Sequence, residues 1–285
     1  MTNPYLEFVQ GHARLKEQGR RMPLGGLPDA PRPPLPPDAP LAMIFSPHPD
    51  DECITGALPL RLRRQGGWRI VNVAVTLGSN PARREARWRE LSAACGFLGF
   101  EVILSRQPMG LEKISPRGRG DDPANWRHAV ETIAALLRER RPRLIVFPHE
   151  SDWNGTHIGV HHLVREALES LEPEFETLTV ETEYWAPMDD PNLMIESSVD
   201  DVADLVAAIS FHAGEVLRNP YHLSLPAWMQ DNVRRGSELV GGQGAAAPDF
   251  LFATLYRMRR WAEGGWRSVL GRGRFLAAAE PLVLP

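Results

Sequence analysis

Apolar and polar positions along this chain fall into blocks whose spacing switches repeatedly between a strand period and a helix period. Residues 43–45 form a short continuous apolar run, read as a first buried strand, and 55–64 carry the helix after it. The β-branched run RIVNVAVT at 69–76 predicts a second strand. Over 82–98, Trp88, Leu91, Ala94 and Leu98 recur on one helical face, and Gly99 closes the helix. A third strand over 100–104, a helix over 126–140 and a fourth strand, LIVF at 144–147, continue the series. A helix from 157 or 158 to 171 and a fifth strand over 178–186 follow, whereas 105–124 mixes Gly, Pro and charge without a period and reads as a loop. Short, almost wholly apolar strands alternating with helices predict an α/β fold: a Rossmann-like, mostly parallel sheet with helices on both faces.

The pattern changes near residue 187. A strand over 193–197 and helices over 201–212 and 223–240 are expected, then Gly241-Gly242-Gln243-Gly244 breaks the chain before 249–256 and a basic tail. This C-terminal third reads as an elaboration packed on the sheet edge. At the other end, helical periodicity over 5–20 is weak, and proline dominates 23–40, predicting an extended strap because proline fixes φ and donates no hydrogen bond. The expected organisation is a leader over 1–40 and a single domain over 41–285.

Composition narrows the function classes. Hydrophobic content of 43% with 24% charged residues fits a soluble globular protein, and a net charge of −4 provides no basic field for nucleic acid. Two cysteines, Cys53 and Cys95, make no disulfide framework. The N-terminus lacks the apolar core of a signal peptide, and no run approaches the roughly 18–20 apolar residues of a membrane span. A cytoplasmic location is expected, and a homo-oligomer is left open.

Two clusters carry the candidate chemistry, and each follows a predicted buried strand. In such sheets ligands bind beyond the carboxyl ends of the strands, so the two clusters can meet. The first is His48-Pro49-Asp50-Asp51-Glu52. A tight turn can aim His48 and Asp51 at one ion, with nitrogen and carboxylate donors that suit Zn²⁺. Asp50 faces elsewhere and is free to act as a general base. A plain helix-capping turn needs one Asp, not a His and two Asp. The second cluster runs from His157 to His162, where three of the chain's nine histidines fall within six residues. His157 and His161 are spaced i, i+4 on one helical face. One can complete a His₂Asp site, and the other, protonated, can stabilise an oxyanion. Asp152, in the loop before them, is the best candidate to orient a ligand histidine, and Trp153 is the aromatic best placed to stack on a sugar ring.

These residues resemble the PIG-L/LmbE-like family of zinc-dependent deacetylases, which act on N-acetylglucosamine-type amides. Ser46 to Glu52 is similar to the family's first signature without a gap, and Arg87, Glu90, Ala93, Ala94, Leu98 and Gly99 resemble its helix pattern. The resemblance implies His48 and Asp51 as metal ligands, Asp50 as general base, His157 as third ligand, and Arg87 as a residue that contacts substrate or braces the site. It also implies Zn²⁺, or Fe²⁺, as the metal and a small N-acetylated sugar conjugate as the substrate. The second signature departs from the family pattern: Asn154 stands where its first histidine is expected. His161 is then the substitute for the oxyanion role, with the reverse assignment, His161 as ligand, left open. Two other readings keep the metal: hydrolysis of another N-acyl amide, and a non-catalytic carbohydrate-binding protein whose zinc is closed by four protein ligands.

Overall fold

The computed structural model describes residues 3–29 and 34–285, so residues 30–33 of the proline-rich strap lie outside the described residues. After an N-terminal helix α1 (Leu6–Gly19), the chain runs β1 (Leu41–Ser46), α2 (Asp51–Ile54), α3 (Ala57–Arg64) and β2 (Arg69–Ala74). It continues α4 (Arg84–Leu98), β3 (Glu101–Leu104), α5 (Pro116–Asp121), α6 (Pro123–Arg140), β4 (Leu144–Pro148), α7 (Gly155–Glu169) and β5 (Thr177–Thr182). The C-terminal third adds β6 (Leu193–Glu196), α8 (Val199–Ser210), α9 (Ala213–Val216), α10 (Leu225–Gly241), β7 (Ala253–Ala262), β8 (Gly265–Ser268) and β9 (Arg274–Leu276).

The strands form one mixed sheet in the order β3-β2-β1-β4-β5-β7-β6-β9, with β8 paired to β7. From β3 to β5 every pair is parallel. Strand period 2 explains why both faces need cover. In β1, Ala42 and Ile44 enter the core on one face while Met43 and Phe45 enter the core on the other. In β4, Leu144 and Val146 divide from Ile145 and Phe147 in the same way. Helices α6 and α7 supply Trp126, Ile133, Val160 and Leu163 to the second core. Helices α3, α4 and α8 supply Leu58, Leu91 and Leu205 to the first. Each such side chain, fully buried, contributes about 1.5–3 kcal/mol. The order reverses direction between β1 and β4, and at that switch point the carboxyl ends of adjacent strands diverge to leave a crevice.

Three local features differ from the sequence expectations. The helix expected over 55–64 begins only at Ala57, as α3, and a separate short α2 precedes it, because Gly56 between them has φ +78° and a Cβ there would lie 2.0 Å from Thr254 Oγ1 on β7. The segment expected to be a loop contains α5, nucleated by Ser115, whose hydroxyl accepts from the Gly118 N–H at 3.0 Å. The basic tail expected after 249–256 is part of the sheet: β7 is a ten-residue strand inside it, antiparallel to β5 and β6. Its Arg257 and Arg259 donate to the buried Glu181 of β5 at 2.7 and 2.5 Å, so the basic residues of that segment are paired inside the sheet. Among the described residues no helix is long and apolar enough to cross a membrane.

Candidate active site

Strand β1 ends at Ser46, and the chain turns through Pro47, His48 and Pro49 into α2, which begins at Asp51. On the neighbouring strand, β4 leads through a loop to Asn154, whose side chain caps α7 by accepting from the Thr156 N–H at 2.8 Å. His157 is therefore in the first turn of α7, at the end that faces the crevice. The two motifs meet there. His48 Nδ1 is 3.2 Å from His157 Nε2 and 3.5 Å from Asp51 Oδ2, and His157 Nε2 is 3.3 Å from the same oxygen. Three donor atoms about 2.0–2.1 Å from a tetrahedral ion stand roughly 3.3 Å apart, so this spacing fits a divalent metal such as Zn²⁺. His157 Nδ1 lies 3.4 Å from Asp152 Oδ2, the arrangement that fixes a ligand imidazole in one tautomer. Asp152 is itself held by the N–H groups of Asn154 and Trp185 at 2.8 and 3.1 Å.

The electrostatics of the trio favour a positive charge at its centre. Burial opposes protonation of His157, but Asp51 and then Asp152 outweigh it and push the imidazole up to about 10. Burial would raise Asp51, yet His157 and His48 hold it well below the usual carboxylate range. A cation at that point replaces the proton that His157 otherwise carries.

Asp50 takes no part in the trio. Its φ of 114° is a left-handed conformation rare outside glycine, worth about 1–3 kcal/mol of strain. Two partners hold it there. Glu52 Oε2 accepts the Asp50 N–H at 2.9 Å, and the Tyr221 hydroxyl donates to Asp50 Oδ2. Glu52 is fully buried and also accepts from Cys53 Sγ at 3.1 Å and pairs with His212 Nε2 at 2.7 Å. Burial first, then the charge of Asp51, raises Asp50 to about 7, against the opposing pull of His212 and the Tyr221 bond. A carboxylate poised near neutrality is suited to accept a proton and return it.

The other sequence candidates are distributed as follows. Arg87 donates to the Pro49 carbonyl at 3.1 Å and lines a polar cleft of about 510 Å³ beside His48, together with Arg84, Lys113, Ser115 and Thr156. Trp153 is 78% exposed and lines neither this cleft nor the smaller cavity described next. His161 stands four residues, about 6 Å, further along α7 than His157. It is outside the converging trio. Its Nδ1 faces the Pro148 carbonyl at 3.1 Å and Glu181 at 3.3 Å. Burial lowers it to about 4, more than Glu181 restores, so it is neutral near pH 7 and carries no charge for an oxyanion. Asn154, in the slot where a second histidine was sought, is occupied as a helix cap.

Tyr184, Tyr221 and His212 escaped sequence reasoning. Tyr184 stands edge-on to His157 with ring centroids 4.8 Å apart. With Tyr221, Trp185 and Trp228 it borders a second cavity of about 150 Å³. No spacing signal ties these residues to the motifs, since Tyr221 is 171 positions from Asp50 and His212 is 160 from Glu52.

Comparison with known proteins agrees with the fold. A conserved protein of Thermus thermophilus superposes with TM-score 0.56 at 18% identity, over 77% of this chain and 94% of its own. The 4-carboxy-2-hydroxymuconate hydratase GalB of Pseudomonas putida gives 0.54 at 17%, over 77% and 95%. The N,N'-diacetylchitobiose deacetylase of Pyrococcus horikoshii gives 0.55 at 15%, over 78% and 84%. Likeness at such identity establishes architecture, and a hydratase beside a deacetylase shows that architecture alone does not select the reaction. No curated protein sequence matches the chain. The family model described as PIG-L, GlcNAc-PI de-N-acetylase, matches residues 43–168, the segment that contains His48, Asp50, Asp51 and His157. Residues 43–168, somewhat under half of the chain, are thus similar to the PIG-L family.

Proposed function

We propose that the chain is a metal-dependent amide hydrolase of the deacetylase type, acting on an N-acyl derivative of an amino-sugar-like amine. The observation that carries this reading is the convergence of His48, Asp51 and His157 with a non-ligating carboxylate, Asp50, on the adjacent residue. The donor set suits Zn²⁺, and two histidines with one carboxylate also suit Fe²⁺. An ion held there supplies Lewis acidity to the amide carbonyl and to the attacking water.

The chain's own residues do the rest. Asp50 Oδ takes a proton from the water as its oxygen adds to the carbonyl carbon, then delivers that proton to the amine nitrogen as the C–N bond breaks. A carboxylic acid and a free amine leave. Tyr221 holds the Asp50 carboxylate and Glu52 holds the Asp50 backbone N–H through both transfers. Asp152 keeps His157 turned with Nε2 toward the trio. The polar walls of the cleft beside His48, with Thr76, Ser79, Ser115 and Arg87, suit a hydroxyl-rich amine component. A closed four-ligand zinc is disfavoured, because among the described residues only three donors converge and one of them, His48, opens onto the cleft.

The test is amine release from N-acetylglucosamine conjugates by the Zn²⁺- and Fe²⁺-loaded protein, before and after chelation. Asp50→Asn is expected to retain metal and lose at least about a hundredfold in kcat, the lower range for a positioned general base. Equal rates for Asp50→Asn and wild type at equal metal content would refute the assignment.

A further inference from the structure

The two cavities reach the centre through different residues. The polar cleft reaches it through His48. The smaller one reaches it through Tyr221, whose hydroxyl is on Asp50, and Tyr184, whose ring edge meets His157. A scissile amide held between Asp50 and the trio has two substituents to place, an acyl group and an amine component. The cleft walls are hydroxyls and charges, and the smaller cavity is walled by Ile54, Tyr184, Trp185, Tyr221, Leu225 and Trp228.

We propose that this aromatic cavity is the acyl subsite, and that the preferred substrates carry an acyl group larger than acetyl, an aliphatic chain of about four to six carbons or an aryl group. The proposal rests on the amide-hydrolase reading. Three further observations support it. At about 150 Å³ the cavity is several times the roughly 30 Å³ share of one water in the liquid, so an acetyl methyl would leave most of it unfilled. Trp185 and Tyr221 meet edge-to-face with centroids 5.9 Å apart, a wall that presents aromatic surface rather than hydrogen-bonding groups. Tyr184 is 7% exposed, and its hydroxyl is buried without a hydrogen-bond partner among the described residues. The acyl carbonyl oxygen, at the inner end of the chain, is an acceptor for that donor.

One lining residue of the subsite is remote from the reacting groups. Ser224 lines the cavity, is exposed, and as the residue preceding α10 makes no side-chain cap bond. The experiment measures kcat/KM of the metal-loaded full chain for glucosamine bearing acetyl, butanoyl, hexanoyl or benzoyl groups. In the wild type the value is expected to rise about fourfold per buried methylene until the cavity is full. Ser224→Phe is expected to abolish that rise, lowering hexanoyl turnover much more than acetyl turnover, since it removes the room in which the longer chain is buried. Trp228→Ala is expected to move the optimum to longer chains. Equal kcat/KM for acetyl and hexanoyl in the wild type, or an equal loss of both in Ser224→Phe, would overturn the proposal while leaving the hydrolase reading intact. If no amide in the series is cleaved, the hydrolase reading fails. The cavity is then judged by tryptophan fluorescence with acetate and hexanoate: tighter hexanoate binding that Ser224→Phe removes supports it, and equal binding rejects it.

Discussion

The two sides of the candidate centre are built in opposite ways. The proposed ligand trio comes from the parallel part of the sheet, from the turn after β1 and the first turn of α7 after β4, and is joined by the long-range contacts of His157 with His48 and Asp51. The base comes from the same turn but is held from the C-terminal third, by Tyr221 directly and by His212 through Glu52. On the proposed reading, metal binding and proton transfer depend on different parts of the chain although Asp50 and Asp51 are neighbours. A family motif can be complete in the first half while the working geometry of its base is decided by the second. That division makes separable predictions.

The largest effect falls on the ligand side. Asp51→Ala removes the oxygen shared by both histidines, and with it the main charge that raises His157. Metal content is expected to fall to background, and kcat/KM to drop by more than the 10–100-fold typical of losing a partner one shell further out. Metal analysis beside the rate assay checks both. Retention of stoichiometric metal by Asp51→Ala would break the division, because the trio would then not be the binding site.

Tyr221→Phe tests the other side. It deletes one hydroxyl and keeps the ring that packs on Trp185. The expected outcome is a 10–100-fold lower kcat, with KM within about twofold and metal content unchanged. Because Tyr221 acts through Asp50, the same substitution made in Asp50→Asn should cost almost nothing, and the double-mutant cycle measures that coupling. Additive losses would mean that Tyr221 acts on something other than the base.

The asymmetry also explains what could be read from the chain. The parallel sheet was legible because its strands are short apolar runs, and the trio was legible because His48, Asp51 and His157 sit in two compact clusters after such runs. Strand β7 was not, because Arg257 and Arg259 interrupt its alternation and their partner Glu181 is 76 and 78 positions away. Tyr221 and His212 are a lone tyrosine and a lone histidine in the short connections between α8, α9 and α10, and only the fold shows that they reach Asp50 and Glu52. His161 was misleading for a geometric reason. Helical spacing puts it on the face of His157 but one turn deeper, where Pro148 and Glu181 occupy it.

The smallest effect concerns the buried pair beneath the base, and its sign can be worked out. Burial opposes a charge on His212, but Glu52, then Asp50 and Glu90, outweigh it, so the folded imidazole titrates above its ordinary value. An unfolded histidine titrates near 6.5. Between that value and the higher folded one, the native state binds a proton that the unfolded chain has released, so stability falls as pH rises through the interval. The pair's contribution is fully present below about pH 6.5 and is lost above the folded value, with a slope of at most about 1.4 kcal/mol per pH unit. In His212→Gln this term is absent, while a hydrogen bond to Glu52 remains available. Urea unfolding of the metal-free protein at pH 6 and pH 9 is therefore expected to show wild type ahead of His212→Gln by more at pH 6 than at pH 9. A gap that widens toward pH 9 would mean that His212 is neutral in the folded protein. The Glu52 carboxylate would then be left without a charged partner, and the clamp on the Asp50 N–H would need another source of rigidity.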